Sequence, residues 1–358
     1  MTFTELLKAP QYSLAPAEKE AVLSQQLAEL TAFHRRNCPE YERLVAILFP
    51  QCQQGQSLTD LPYLPVGLFK SHALRSVPES EVFRILQSSG TSGQQPSRIV
   101  LDRETAQRQT QALSRIMIHL LGPQRLPMVL IENPALIKDR RQFNARVAGL
   151  LGMMNFGRDH FYALDEQMEL NLGGLQAFLH RHGGGPFLLF GFTFVAWQYF
   201  LLRIEHLGLD LSNGILVHSG GWKKLQDQAV GPEELKERFR AATGLRRIYN
   251  FYGMVEQVGS VFLEGEDGYL YAPNFADVIV RDPVTFAALP PGQVGVLQAL
   301  SVLPVSYPGH SLLTEDLGVI HSVDASSCGR RGKSFSVLGR LPRAELRGCS
   351  DVIAAMTN

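Results

Sequence analysis

Cysteine is scarce in this chain. Four are spread over 358 residues, at Cys38, Cys52, Cys328 and Cys349. They form no Cys-x-x-Cys pair and show no zinc spacing, which sets aside a disulfide scaffold and a structural zinc module. A reduced, cytoplasmic protein is the expectation. Net charge is lacking too: 34 Lys+Arg balance 34 Asp+Glu, without a basic block. A nucleic-acid partner is therefore not expected. The first twenty residues carry Glu5, Lys8, Glu18, Lys19 and Glu20 and no apolar run, so no secretory signal is expected. Internal repeats and low-complexity linkers are missing. What the chain does have is 45% hydrophobic content, enough for a substantial core.

One uncharged stretch, residues 185–202, is long enough to raise the question of a membrane span. Pro186 and Gly191 split it, so residues 187–190 read as a buried strand. Thr193 is then the expected N-cap of a helix running toward Glu205 and ending near Gly208. No membrane span is expected.

Along the chain, residues 17–33 and 41–48 carry helical patterns, and the prolines of 60–66 make an extended connector. Helices are expected at 105–121, 141–151, 165–180 (with Asp165 as N-cap) and 233–243, and strands at 128–132, 215–218 and 246–249. From Tyr269 the pattern changes to short strands and turns, at 276–281, 295–301, 318–323 and 334–338. The expected class is α/β, a helical part over about 1–80 and an α/β body over 81–268. A β-rich part over 269–358, an added sheet or barrel, completes a single domain spanning 1–358.

The most informative local feature is Ser88-Ser89-Gly90-Thr91-Ser92-Gly93, directly after the strand-like residues 82–86. Hydroxyls and backbone N–H groups on such a loop can converge on an anion, and the glycines let the backbone come close. Taken alone, Ser/Gly-rich loops are more often simple turns. Tyr252-Gly253-Met254-Val255-Glu256 follows the 246–249 strand, Leu313-Thr314-Glu315-Asp316-Leu317-Gly318 comes later, and Gly339-Arg340 follows Ser336-Val337-Leu338. Glu256, Asp316 or Arg340 alone reads as a surface charge. Ser219-Gly220-Gly221 follows the 215–218 strand and falls one glycine short of a serine-hydrolase elbow, with Val217 in its place and His310 or His321 as the base such an enzyme would need. Gly329–Ser334 ends like a phosphate loop, but Ser327 stands where its first glycine belongs.

In this order the motifs resemble the adenylate-forming superfamily of acyl-CoA synthetases, peptide-synthetase adenylation domains and luciferases, from about residue 84 onward. The resemblance implies the large N-terminal domain of that fold, with ATP and magnesium as cofactors. It implies that Ser88, Ser89, Gly90, Thr91, Ser92 and Gly93 grip the ATP phosphates. Ser219, Gly220, Gly221 and Tyr252, with Gly253 and Met254, would line the adenine. Asp316 would accept from the ribose hydroxyls, Arg340 would reach the ribose or phosphate, and Glu256 would hold the magnesium. Three departures stand out. Arg98 replaces a lysine usually found soon after the loop, Glu315 stands in the usual Thr-Gly-Asp, and Pro342 stands at the usual hinge aspartate.

The chain stops at Asn358, where the superfamily carries a further mobile domain, so that domain is expected to be missing. Instead comes Glu345-Leu346-Arg347-Gly348-Cys349. This resembles one branch, the acyl-protein synthetases (long-chain-fatty-acid–protein ligases) of the bacterial luminescence fatty-acid reductase system. The resemblance implies activation of a fatty or other carboxylic acid as acyl-AMP, a thioester on Cys349, and delivery to a partner acyl reductase. Three other readings compete: an external thiol acceptor such as coenzyme A or a carrier protein, a nucleotide-binding module without catalysis, and the hydrolase on Ser219. The bland alternative for Cys349 itself is a small core residue.

Overall fold

The computed structural model describes residues 1–50, 57–88, 95–138, 145–221 and 230–341. Fourteen strands are described: β1 Leu64–Pro65, β2 Arg84–Gln87, β3 Arg98–Leu101, β4 Leu126–Ile131, β5 Gly157–Tyr162, β6 Phe187–Phe192, β7 Gly214–Ser219, β8 Arg247–Tyr252, β9 Phe262–Glu264, β10 Leu270–Tyr271, β11 Ala276–Arg281, β12 Val294–Ser301, β13 Ser311–Val323 and β14 Lys333–Arg340. Twelve join one sheet in the order β11-β12-β13-β14-β10-β9-β8-β7-β6-β4-β5, with β1 paired to β13. The other two, β2 and β3, form a separate antiparallel hairpin.

The half from β5 to β8 is parallel. Parallel strands need crossovers, and helices Ala145–Met154, Leu172–His182 and Pro232–Thr243 supply three of them, with the helical stretch 193–204 between β6 and β7 the fourth. Side-chain alternation shows that helices cover both faces. On β4 and β6, Val129, Ile131, Phe187 and Leu189 pack with Leu175, Phe200, Leu235 and Phe239. Met128, Leu130, Leu188 and Phe190 point the other way and pack with Met117, Leu150 and Met153. Strands buried on both faces read as continuous apolar runs, which is why residues 185–202 resemble a membrane segment. They form β6 and then a helical stretch whose middle, Ala196–Leu201, is π-helical. No helix among the described residues is long and apolar enough to cross a membrane.

The β-rich part continues the same sheet. Strands β9, β10, β14, β13, β12 and β11 add antiparallel, starting from the β8–β9 pair. Two local expectations need correction. The helix expected over 165–180 begins at Leu172, capped by the Asn171 side chain, which accepts from Gly174 N at 3.0 Å. Asp165 instead accepts from the backbone N–H groups of Gln167 and Glu169, both at 2.9 Å, and so closes a turn. Thr193 is not a side-chain cap either, because its hydroxyl is bonded to His218 Nδ1 at 2.9 Å.

Candidate functional site

Parallel α/β sheets hold ligands at the carboxyl ends of their strands. Here β7 ends at Ser219 and β8 at Tyr252, with Ser219 directly beside Phe251 in the ladder. Gly220 turns the chain away at φ 87°, a left-handed conformation that favours glycine. The two motifs 219–221 and 252–254 are thereby neighbours on one sheet edge.

The next contact crosses the sheet. Strand β13 is longer than the sequence suggests, so Thr314, Glu315 and Asp316 lie within it. The Tyr252 hydroxyl donates to Asp316 Oδ2 at 2.7 Å. Asp316 pairs with Arg340 across β13 and β14, and its Oδ1 lies 3.7 Å from Arg340 Nε. The Thr314 hydroxyl accepts from Asp316 N at 3.1 Å and donates to Leu297 O at 2.7 Å, which fixes the backbone carrying the carboxylate. Burial raises the Asp316 pKa, and the Tyr252 hydroxyl and the Arg340 guanidinium oppose that rise. Burial also raises the Tyr252 phenol well above its ordinary value, followed by the Asp316 charge. Tyr252 therefore keeps its proton and stays a donor to the Asp316 carboxyl.

Glu256 sits in the turn Val255–Gln257, four residues past Tyr252, with only 7% of its surface exposed. Its backbone is held by Tyr307, whose hydroxyl donates to Glu256 O at 2.8 Å. The same carbonyl would lie 2.8 Å from a Cβ at position 309, so glycine is required there. Gln257 ties the turn to the sheet, donating to Ala299 O at 3.0 Å and Gly309 O at 2.8 Å. Burial raises the Glu256 carboxyl; the Ser97 hydroxyl and the Lys70 ammonium pull it down, and Glu315 pushes it up.

Ser97 belongs to the hydroxyl-loop hairpin. Strand β2 leads into the loop and β3 leaves it, and the base is closed by Ser88 N donating to Ser97 O at 3.1 Å and Ser97 N donating to Ser88 Oγ at 2.9 Å. The loop thus bridges an antiparallel hairpin, and its base stands beside Glu256. Ser89, Gly90, Thr91, Ser92 and Gly93 lie outside the described residues, as do Cys349 and Cys52. Arg98 is exposed at the start of β3. The structure therefore brings together Ser219, Gly220, Tyr252, Gly253, Met254, Glu256, Asp316, Arg340 and the loop base at Ser88. Gly221 is the last described residue after β7. Lys70, Ser97, Thr314 and Tyr307 also shape the site. Lys70, Ser97 and Tyr307 stand outside the motifs that a linear reading selects, whereas Thr314 belongs to one of them.

The donor set suits magnesium. That ion takes one or two carboxylates and completes its shell with phosphate oxygens and water. Glu256 is a nearly buried carboxylate with no ion-pair partner within 4.0 Å among the described residues, and burial raises its pKa although the Lys70 ammonium pulls it down. The hydrolase arrangement is not formed. His310 Nε2 is bonded to Thr31 Oγ1 at 2.9 Å and its ring stacks on His34, while His321 Nε2 is bonded to Ser336 Oγ at 2.9 Å. Neither ring engages Ser219.

Comparison with known proteins agrees with this arrangement. A family model described as acyl-protein synthetase, LuxE, matches residues 4–357. The Vibrio harveyi long-chain-fatty-acid–luciferin-component ligase is 23% identical over 353 residues, which cover 95% of this chain and 89% of that protein. The Aliivibrio fischeri protein of the same name is 20% identical over 342 residues, 93% of this chain and 88% of that protein. Among solved structures, an open conformation of 2-hydroxyisobutyryl-CoA ligase with 2-HIB-AMP and CoA superposes with a TM-score of 0.70 at 20% identity, over 92% of this chain and 76% of that one. ATP-bound MatB from Rhodopseudomonas palustris gives 0.50 at 15% identity, over 74% and 49%. These structural likenesses show the adenylate-forming fold. Because the family match runs almost end to end, the chain belongs to the acyl-protein synthetase (LuxE) family, acid–thiol ligases built on that fold.

Proposed function

We propose that this chain activates a fatty acid with ATP and then carries the acyl group as a thioester on Cys349 for a partner acyl reductase. The observation that supports this most is one cluster: Tyr252 bonded to Asp316, Asp316 beside Arg340, and buried Glu256 next to the base of the hydroxyl hairpin. On this reading Asp316 accepts from the ribose hydroxyls, and Tyr252 and Ser219–Gly221 wall the adenine. The 88–93 loop holds the phosphates, Arg340 reaches the ribose or α-phosphate, and Glu256 holds magnesium. When bound, the ion would neutralise phosphate charge.

The chemistry balances. A carboxylate oxygen of the acid forms a bond to the α-phosphorus, and the bond to the bridging oxygen breaks, releasing pyrophosphate. The Cys349 thiolate then adds to the acyl carbon and AMP leaves with the electron pair of the broken C–O bond. Chain connectivity allows the second step. Leu341 is buried, and its N–H donates to Glu315 O at 2.9 Å, beside Asp316. Eight residues from there to Cys349 span at most about 29 Å. The names of the family and of its relatives support the acid class and a protein-bound acyl group.

The test is intact mass after incubation with ATP, magnesium and fatty acids of several lengths, with and without neutral hydroxylamine. We expect a mass gain that hydroxylamine removes and that Cys349→Ser abolishes while acid-dependent pyrophosphate exchange continues. Exchange without any adduct would move the acceptor to an external thiol. Loss of both signals with every acid would overturn the ligase reading.

A further inference from the structure

At the other end of β8 lies a cavity that the activation site does not use. It has a volume of about 410 Å³, and its walls include Tyr12, His119, Arg247, Tyr249, Arg330 and Arg331. That size falls within the range of small-molecule pockets. It is built from five separate parts of the chain: the segment after the first helix, the end of helix Arg103–Leu121, the turn between β13 and β14, the start of β8, and the turn between β9 and β10. Arg331 N donates to Tyr12 O at 2.8 Å and closes the first part against the third.

Its charge is one-sided. Three guanidinium groups line it, and Glu266 is its only acidic residue. Among the described residues none of the three arginines has a carboxylate within 4.0 Å. Arg330 lies with its guanidinium carbon 4.4 Å from the Tyr12 ring centroid and donates to Leu263 O at 2.8 Å, which holds the cation in place over an aromatic wall. The field is felt by a neighbour: His119 is held below its ordinary pKa by partial burial and then by Arg330, so it stays neutral. Tyr12 forms the wall beneath Arg330. It is 3% exposed, and its hydroxyl is buried without any hydrogen-bond partner.

We propose that this cavity binds a small organic anion, presenting a phosphate or carboxylate to Arg247, Arg330 and Arg331 and an aromatic or apolar body to His119, Leu120 and Tyr249. The site is distinct from the nucleotide cluster. Arg247 opens β8 and Tyr252 ends it, about 17 Å apart along the strand.

Phenyl phosphate, benzoate and inorganic phosphate are suitable probes, followed by titration calorimetry at low salt on the full chain. Saturable binding of phenyl phosphate or benzoate at one site is expected, with inorganic phosphate weaker because it lacks the body. Arg247 and Arg331 are exposed, so Arg247→Gln with Arg331→Gln should leave the melting temperature unchanged while weakening binding at least about tenfold. Asp316→Ala should leave the binding unchanged. No saturable heat with any probe up to about 10 mM (a Kd of about 1 mM being already weak) would overturn the proposal. So would equal affinity in the double variant, or loss of binding in Asp316→Ala, which would place the probe at the nucleotide cluster.

Discussion

Replacing Tyr252 with phenylalanine removes one oxygen and with it the 2.7 Å bond to Asp316 Oδ2. The ring itself stays, packed at a centroid distance of 6.0 Å from Phe262, so the end of β8 keeps its shape. A hydrogen bond to a charged group contributes about 1.5–3 kcal/mol, and losing it also leaves the carboxylate less well oriented. If Asp316 receives the ribose, that energy appears mainly in the KM for ATP, as an increase of roughly 10- to 100-fold. A second effect follows from the pKa. The Tyr252 hydroxyl is the largest influence opposing the burial-driven rise of Asp316. Without it the carboxyl rises further, so the ionised form is lost at a higher pH as the solution is acidified. The acid limb of kcat/KM for ATP should therefore move to higher pH in Tyr252→Phe. Pyrophosphate exchange measured across pH reads both effects. A KM within about twofold of wild type together with an unmoved acid limb (each pKa unit being about 1.4 kcal/mol) would refute the assignment of Asp316 to the nucleotide.

Glu256→Gln should separate function from stability. The carboxyl is raised by burial, so its ionised form is a cost to the folded state above that pKa. The amide should leave the denaturation midpoint equal or higher while magnesium-dependent exchange falls about 100-fold or more. Gly309→Ala would place a Cβ 2.3 Å from the Tyr307 ring and 2.8 Å from Glu256 O. Overpacking of this kind costs about 1–3 kcal/mol, and exchange should fall with stability because the turn carrying Glu256 must shift. Acid should destabilise the whole chain through its buried histidines. His34 and His218 are each held down at about 3, and His310 well below its ordinary value, all by burial first. The unfolded state takes up protons below about 6.5 while the folded state does not, so stability falls as pH drops through 6 toward 4. From pH 7 to 5 each such histidine contributes about 2 kcal/mol of loss, which urea denaturation at the two pH values measures.

The parallel half was legible because its strands are buried on both faces. Runs such as Met128–Ile131 and Ile215–Val217 are apolar at every position, and the structure places strands there. The first half of β13 was harder to see. Thr314, Glu315 and Asp316 look like a charged loop, yet Tyr252, Arg340 and Leu297 O, all distant in sequence, make those groups acceptable inside a strand. Gly318 hides a similar dependence: a Cβ there would lie 2.7 Å from the Leu297 side chain and from Ser336 O, where β13 changes register. Asp165 misled for a local reason. An aspartate that binds backbone N–H groups two and four positions on closes a turn as readily as it caps a helix. Of the site, the motif residues could be named but their partners could not. Lys70 and Tyr307 reach Glu256 only through the tertiary fold.

The anchoring of Leu341 bears on how an acceptor is chosen. Its N–H is fixed to Glu315, the neighbour of Asp316, and its side chain packs with Val296 and Leu313. Any residue eight positions later is confined to a sphere of about 29 Å radius around a point beside the nucleotide cluster. One thiol in that volume corresponds to an effective concentration on the order of 10 mM. At equal intrinsic reactivity an external thiol must approach that level before it takes half of the acyl groups. Tethering alone therefore favours self-acylation, without requiring an unusual thiol pKa at Cys349. Raising coenzyme A through the low millimolar range in the mass assay should leave most of the acyl group on the protein. A steep diversion below about 0.1 mM coenzyme A would mean that the chain binds the external thiol specifically, and that the tether does not decide the acceptor.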